Sequence, residues 1–139
     1  MRTIKFRGKR LDGQGWVYGY PLEKFQAIDA QPRIVIDTCR TFTNDGYHSL
    51  EQYEVLPESV GQWTGLVDKN GKEIFEGDMV KAENTQNVGE IKYVHEHGSF
   101  LVYSHDENGA YYEYLDIGLC EKYFEVIGNV FDNGDLYDC

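Results

Sequence analysis

A chain of 139 residues is long enough to bury a real core, as one domain or one domain with a second lobe. Its net charge of −11 lies wholly in one half: residues 1–63 hold eight basic and eight acidic residues, residues 64–139 five basic and sixteen acidic. A surface of that sign repels phosphate backbones and favours basic partners, although a solvated surface that serves solubility alone also explains it. Fifteen Gly and three Pro beside eleven Tyr and seven Phe read as short aromatic-rich strands joined by tight turns.

No apolar run approaches the ~18 residues of a membrane span. The opening MRTIKFRGKR lacks the apolar stretch of a secretory signal, so a soluble cytoplasmic protein is expected. Cys39, Cys120 and Cys139 are too few and too scattered for a disulfide scaffold or a zinc knuckle, and are expected as free thiols.

In chain order, Ile4, Phe6 and Gly8 alternate with Lys5, Arg7 and Lys9, giving a strand with one basic face. Turn residues Leu11 to Gly15 follow, and Trp16, Tyr18 and Tyr20 line a second strand that ends at Pro21, completing a β-hairpin. From Leu22 to Gln52 the pattern weakens. Ile34-Val35-Ile36 reads as a short buried strand, Thr41 to Ser49 as a loop or a loose hairpin, and Tyr53 to Leu56 as a further strand. Pro57 opens one helical turn.

Strand patterns become regular after Gly61. Gln62 to Val67 and Lys72 to Phe75 flank Asp68-Lys69-Asn70-Gly71, where Asn-Gly predicts a type I′ turn. Asp78 to Glu83 is a strand, Asn84 to Asn87 a loop, and Val88 to Val94 pairs with Ser99 to Ser104 across His95-Glu96-His97-Gly98. Tyr111 to Leu115 gives another strand, Asp116 to Lys122 a helical turn, and Glu125 to Phe131 a last strand. The expected fold is all-β, with an N-terminal hairpin and variable region over 1–62 and an SH3-like small barrel over 63–139, together one compact unit.

IKFRGKR followed by WVYGY, then VGQWTGLVDKNGKEIFEGDMVK, then EVIGNVFDN resembles the YopX family of phage and prophage proteins. The resemblance spans essentially the whole chain, with 22–52 the variable part. It implies an all-β protein with an SH3-like C-terminal part and no established activity, hence no catalytic or binding residues to carry over. Asn133-Gly134-Asp135 departs from the Asn-Pro-Glu common among relatives, which alters the path of the tail alone.

Several residue groups carry chemistry on paper. His95, Glu96 and His97, with His105, Asp106 and Glu107, are the best candidate metal ligands. A strand over 99–104 would hold the two groups roughly 20 Å apart, which defeats a shared site. Ser104-His105-Asp106 has the letters of a nucleophilic triad, but neighbours in a strand point to opposite faces. Glu121 beside Cys120 should raise rather than lower the thiol pKa. Glu76-Gly77-Asp78 reads as a turn, with Gly77 free in φ and the Asp78 carboxylate accepting backbone N–H groups, ahead of a functional carboxylate pair. Tyr111, Tyr112, Tyr114 and Tyr123 are read as core or protein interface rather than base-stacking platform, because their half of the chain is acidic.

The expectation is therefore a non-enzymatic phage or prophage accessory protein, with no catalytic residues, cofactor or metal. It would act through protein–protein contacts and self-associate through an unpaired basic first strand. Two alternatives are nucleic-acid binding through Arg2, Lys5, Arg7, Lys9 and Arg10, and an acidic DNA mimic that occupies a host DNA-binding protein.

Overall fold

A computed structural model describes residues 3–25, 32–38, 51–83, 85–106 and 108–133. The expected loop Thr41–Ser49, the thiols Cys39 and Cys139, Arg2, Glu107 and the Gly134-Asp135 pair lie outside the described residues. The chain is all-β apart from a 3-10 turn at Pro57–Ser59 and one short helix. It divides into two compact units, Ile4–Gln62 and a second that runs from Trp63 onward.

In the first unit, β1 (Phe6–Lys9), β2 (Trp16–Phe25), β3 (Pro32–Asp37) and β4 (Gln52–Glu54) lie side by side in the order β4-β3-β2-β1. The predicted hairpin forms, with Arg7 opposite Tyr18 and Lys9 opposite Trp16. β1 is not an unpaired strand, however. On its other side Phe6 and Arg7 face Gln62 and Gly61, the start of β5 (Gly61–Val67). Next to them the Lys9 carbonyl accepts the Leu56 N–H at 2.9 Å, and the Lys9 N–H donates to Ser59 Oγ at 2.8 Å. The first strand is interior, and it offers no free edge for self-association.

Pro21 does not end β2 either: it sits opposite Ile36, and β2 runs on to Phe25. Pairing with β1 stops at Gly19 and pairing with β3 starts at Tyr20, so beyond Gly19 one side of β2 carries no ladder among the described residues. A missing N–H is tolerated on such a stretch. Val17, Ile36 and Val55 form this unit's buried core, flanked by Ile34, Tyr53 and Val60.

In the second unit β5 continues and pairs with β6 (Glu73–Phe75), Trp63 lying opposite Phe75 and Val67 opposite Glu73. A five-stranded antiparallel sheet follows in the order β10-β9-β8-β7-β11, from β7 (Asp78–Ala82), β8 (Val88–Val94), β9 (Ser99–Asp106), β10 (Gly109–Tyr114) and β11 (Phe124–Asn129). The predicted pairing of β8 with β9 holds, Glu90 facing Tyr103 and Lys92 facing Leu101. Helix α1 (Ile117–Tyr123) begins where expected, capped by the Asp116 carboxylate on the Leu119 N–H. Ile74, Val80, Ile91, Val102, Cys120, Phe124 and Val126 form the core.

The Asn-Gly turn differs from expectation. Gly71 takes φ +80°, but Asn70 does not have positive φ, as a type I′ turn requires of both central residues. Instead Gly71 N–H bonds the Asp68 carbonyl at 3.0 Å and Asp68 N–H bonds the Lys72 carbonyl at 2.8 Å. This is a type I turn closed by a left-handed glycine, a loop one residue longer. The cause is Asp68, whose Oδ1 accepts the Asn70 and Lys72 N–H groups, each at 2.9 Å. Its Oδ2 accepts the Val126 N–H of β11, also at 2.9 Å.

The small barrel expected over 63–139 is not formed as a closed sheet. Closure requires the first and last strands to pair, and here β10 and β11 are the two ends of the strand order. No helix among the described residues is long and apolar enough to cross a membrane.

Asp68 is 2 % exposed and satisfies three backbone donors. Asp68→Asn is expected to lower unfolding free energy by about 1–3 kcal/mol and Asp68→Ala by about 3–5 kcal/mol, through donors left without acceptors. Chemical denaturation measures both, and a loss below ~0.5 kcal/mol for Asp68→Ala would refute the assignment.

Candidate functional site

The sequence-selected groups are dispersed. His95, Glu96 and His97 occupy the turn before β9, and exposed His105 lies near the strand's far end. Among the described residues, no three His, Cys, Asp or Glu side chains converge on a point that could hold a metal ion. Ser104 is buried on the core side of β9 and His105 is exposed on the other, as strand alternation dictates.

Cys120 is fully buried in the core, and its thiol pKa is pushed up to about 11. Burial is the main cause, with the charges of Asp116 and Glu121 adding to it. The direction is the one expected, but Glu121 is the smallest of the contributions. In Glu76-Gly77-Asp78, Gly77 takes φ +91° and the buried Asp78 carboxylate accepts the Phe75 N–H at 2.8 Å. That carboxylate is committed to the turn, as the structural reading holds. The Glu76 charge helps to raise the pKa of Glu90 on β8, the strand beside β7.

The basic strand of the first unit is not displayed as a stripe. Arg7 is 6 % exposed, with its guanidinium carbon 4.6 Å from the centre of the Trp16 ring. Arg10 lies 4.2 Å from the Tyr53 ring centre and pairs with Asp12. A cavity of about 240 Å³ opens here, lined by Arg10, Trp16, Tyr18, Glu51 and Tyr53 among others. Its polar groups answer one another, since the Tyr53 hydroxyl also donates to Glu51 at 2.8 Å. Its volume falls below the ~300 Å³ at which ligand pockets begin.

The second unit presents a different surface. Along β10 the residues Ala110, Tyr112 and Tyr114 face away from the core, opposite His105, Tyr103 and Leu101 of β9. The Tyr112 ring lies 5.2 Å from that of Tyr103, with an interplanar angle of 52°. Lys92 of β8 places its ammonium 4.5 Å from the centre of the Tyr103 ring. At the row's other end His97 meets Tyr114 edge-on at 6.3 Å. Tyr112 is 48 % exposed, Tyr114 70 %, and Ile117 just beyond them 60 %.

Of the four tyrosines singled out, Tyr112 and Tyr114 belong to this face. Tyr111 instead accepts a hydrogen bond from Asn87 Nδ2 at 3.3 Å, and Tyr123 packs on the core. Tyr103 went unnoticed in sequence, and His97 was singled out only as a metal candidate, because only the β8–β9–β10 register brings them into this row. Residues 93–121, which contain β9 and β10, include six acidic residues and no Lys or Arg. A stacking platform for single-stranded nucleic acid needs a cationic groove, so this chemistry opposes that use. Exposed tyrosines on rigid strands suit protein recognition, offering a large apolar area at low entropic cost.

A model of a family described as YopX protein matches residues 5–138. None of the curated proteins compared matches the chain. Among solved structures, protein EF1440 from Enterococcus faecalis is similar at 23 % identity and a TM-score of 0.51, over 99 % of each chain. At that identity the likeness concerns the fold.

Burial raises the pKa of Glu90; the Lys92 charge opposes this and Glu76 reinforces it. A value raised on folding favours the protonated folded state, so the associated stability is present below the ordinary glutamate value and lost as pH rises through the raised one. Glu90→Gln, which fixes the neutral form, is expected to raise Tm at neutral pH by about 2 °C and to lose that advantage on acidification. Melting curves across pH test this; equal melting temperatures at neutral pH would reject it.

Proposed function

The chain belongs to the YopX family, and from that premise we propose that it is a non-enzymatic accessory protein of phage or prophage origin that acts by contacting another protein. The observation that carries the reading is the exposed tyrosine row Tyr103–Tyr112, with Tyr114 beside it, in a stretch free of Lys and Arg. Such a surface offers aromatic area in a half of the chain with sixteen acidic and five basic residues, which favours a protein partner. The core and the turns absorb Cys120, Ser104 and Asp78, the side chains with nucleophilic or acid–base potential. A second reading, a DNA mimic, rests on the sixteen acidic residues set against five basic ones in 64–139.

A photo-crosslinking residue in place of Tyr114, with one at exposed Asn70 as control, separates these readings in host cells. Protein adducts specific to the Tyr114 position are expected, and adducts abolished by duplex DNA would favour the mimic. Identical adduct patterns at both positions would remove the tyrosine face as the site of action.

A further inference from the structure

The sequence holds three Asn-Gly pairs, at Asn70, Asn108 and Asn133. Asparagine before glycine is chemically labile, because no side chain shields the amide nitrogen that follows it. The loop between β5 and β6 both displays and restrains one of these pairs. Asn70 and Gly71 are exposed, and among the described residues nothing bonds the Asn70 side-chain amide. A methyl group added at Gly71 would meet no atom within 4 Å, so its flank is open. The Asn133 amide oxygen, by contrast, accepts the Asn129 N–H at 3.4 Å. The restraint on Asn70 lies in the backbone. Gly71 N–H donates to the Asp68 carbonyl at 3.0 Å, and on either side the Asn70 and Lys72 N–H groups donate to Asp68 Oδ1.

We propose that Asn70 is a self-modification site, converted by water into aspartate and isoaspartate at a rate set by release of the Gly71 N–H from Asp68. Once released, that N–H loses its proton to hydroxide, and the nitrogen attacks Asn70 Cγ within the same chain. The new C–N bond closes a five-membered succinimide. The Cγ–Nδ2 bond breaks, and the departing nitrogen takes a proton from water and leaves as ammonia. Water then opens the ring, giving aspartate by attack at Cγ and isoaspartate by attack at the backbone carbonyl. One amide and one water become one carboxylic acid and ammonia, with no change of oxidation state. Either product sets a new carboxylate two residues from the buried Asp68, and like charges repel. Isoaspartate also adds a CH2 to the main chain between the two N–H groups that share Asp68 Oδ1. Because Asp68 Oδ2 holds the Val126 N–H, the loosening reaches β11.

The test holds the full chain, native or unfolded in guanidinium, at mildly alkaline pH and reads digests for aspartate and isoaspartate at Asn70, Asn108 and Asn133. Asn70 is expected to react in both, more slowly in the native chain. Amide exchange and ring closure need the same nitrogen released, so the native slowing should match the exchange protection of the Gly71 amide within about fivefold. Asp68→Asn and Asp68→Ala are expected to speed the native reaction about tenfold or more, and Asn70→Gln to remove the signal. In the modified chain the Val126 amide should exchange faster.

A larger mismatch between slowing and protection would overturn the proposal, and that comparison stands even where an Asp68 variant fails to fold. Equal rates in the wild type and in folded Asp68 variants would overturn it too, as would modification confined to Asn108 or Asn133. An unchanged Val126 amide in the modified chain would refute the link to β11.

Discussion

The second unit is organised around one buried carboxylate. Asp68 carries a charge that would be costly in the interior without partners. It accepts backbone N–H groups from Asn70 and Lys72 in its own loop and from Val126, 58 residues away. Charge-assisted bonds of this kind are stronger than neutral ones, and three of them fix the shape of a loop that sequence alone leaves open. The same contact joins the β5–β6 hairpin to β11 and occupies that strand's outward Val126 N–H. With one edge covered by a turn, the sheet's edge without a partner among the described residues is β10, and the asymmetry of this sheet follows from there.

How much was legible in sequence depends on the range of the interaction responsible. Alternation and turn residues located the first hairpin, β3, the β8–β9 pair and the helix after Asp116, because each is decided within a few residues. Asn70-Gly71 marked the turn but not its type, since the deciding acceptor at Asp68 makes the loop one residue longer. The interior place of β1 was invisible, because its second partner is Gly61-Gln62, more than fifty residues on. Cys120 shows the same limit: the neighbour in sequence gave the right direction, but burial, a tertiary property, is the larger cause. Tyr103 joins the surface row only through pairing with strands on both sides.

Charge behaves differently in the two units, and composition hides the difference. In the first, cations are consumed where they stand, Arg7 on Trp16, Arg10 on Tyr53 and Asp12, and Arg33 beside Glu54 at 3.9 Å. A count of basic residues therefore overstated the positive surface available to nucleic acid, because guanidinium groups stacked on rings do not present themselves to phosphate.

In the second unit the acidic residues have two destinations. Asp68, Asp78 and Asp116 accept backbone N–H groups and hold turns and a helix end, so their charge is spent on structure. Lys69 approaches Glu83 at 3.5 Å and Glu125 at 3.8 Å, which compensates the side of the sheet near β11. The stretch that supplies β9 and β10 has no such cation of its own. An acidic unit, exposed tyrosine and an edge with no partner strand among the described residues come together at β10. Each is ordinary alone, since surface acids favour solubility, single aromatics are common outside, and every open sheet has edges. Their coincidence at β10 sets that strand apart from β11, whose outward Val126 N–H and Phe124 carbonyl are taken up by the Asp68 loop.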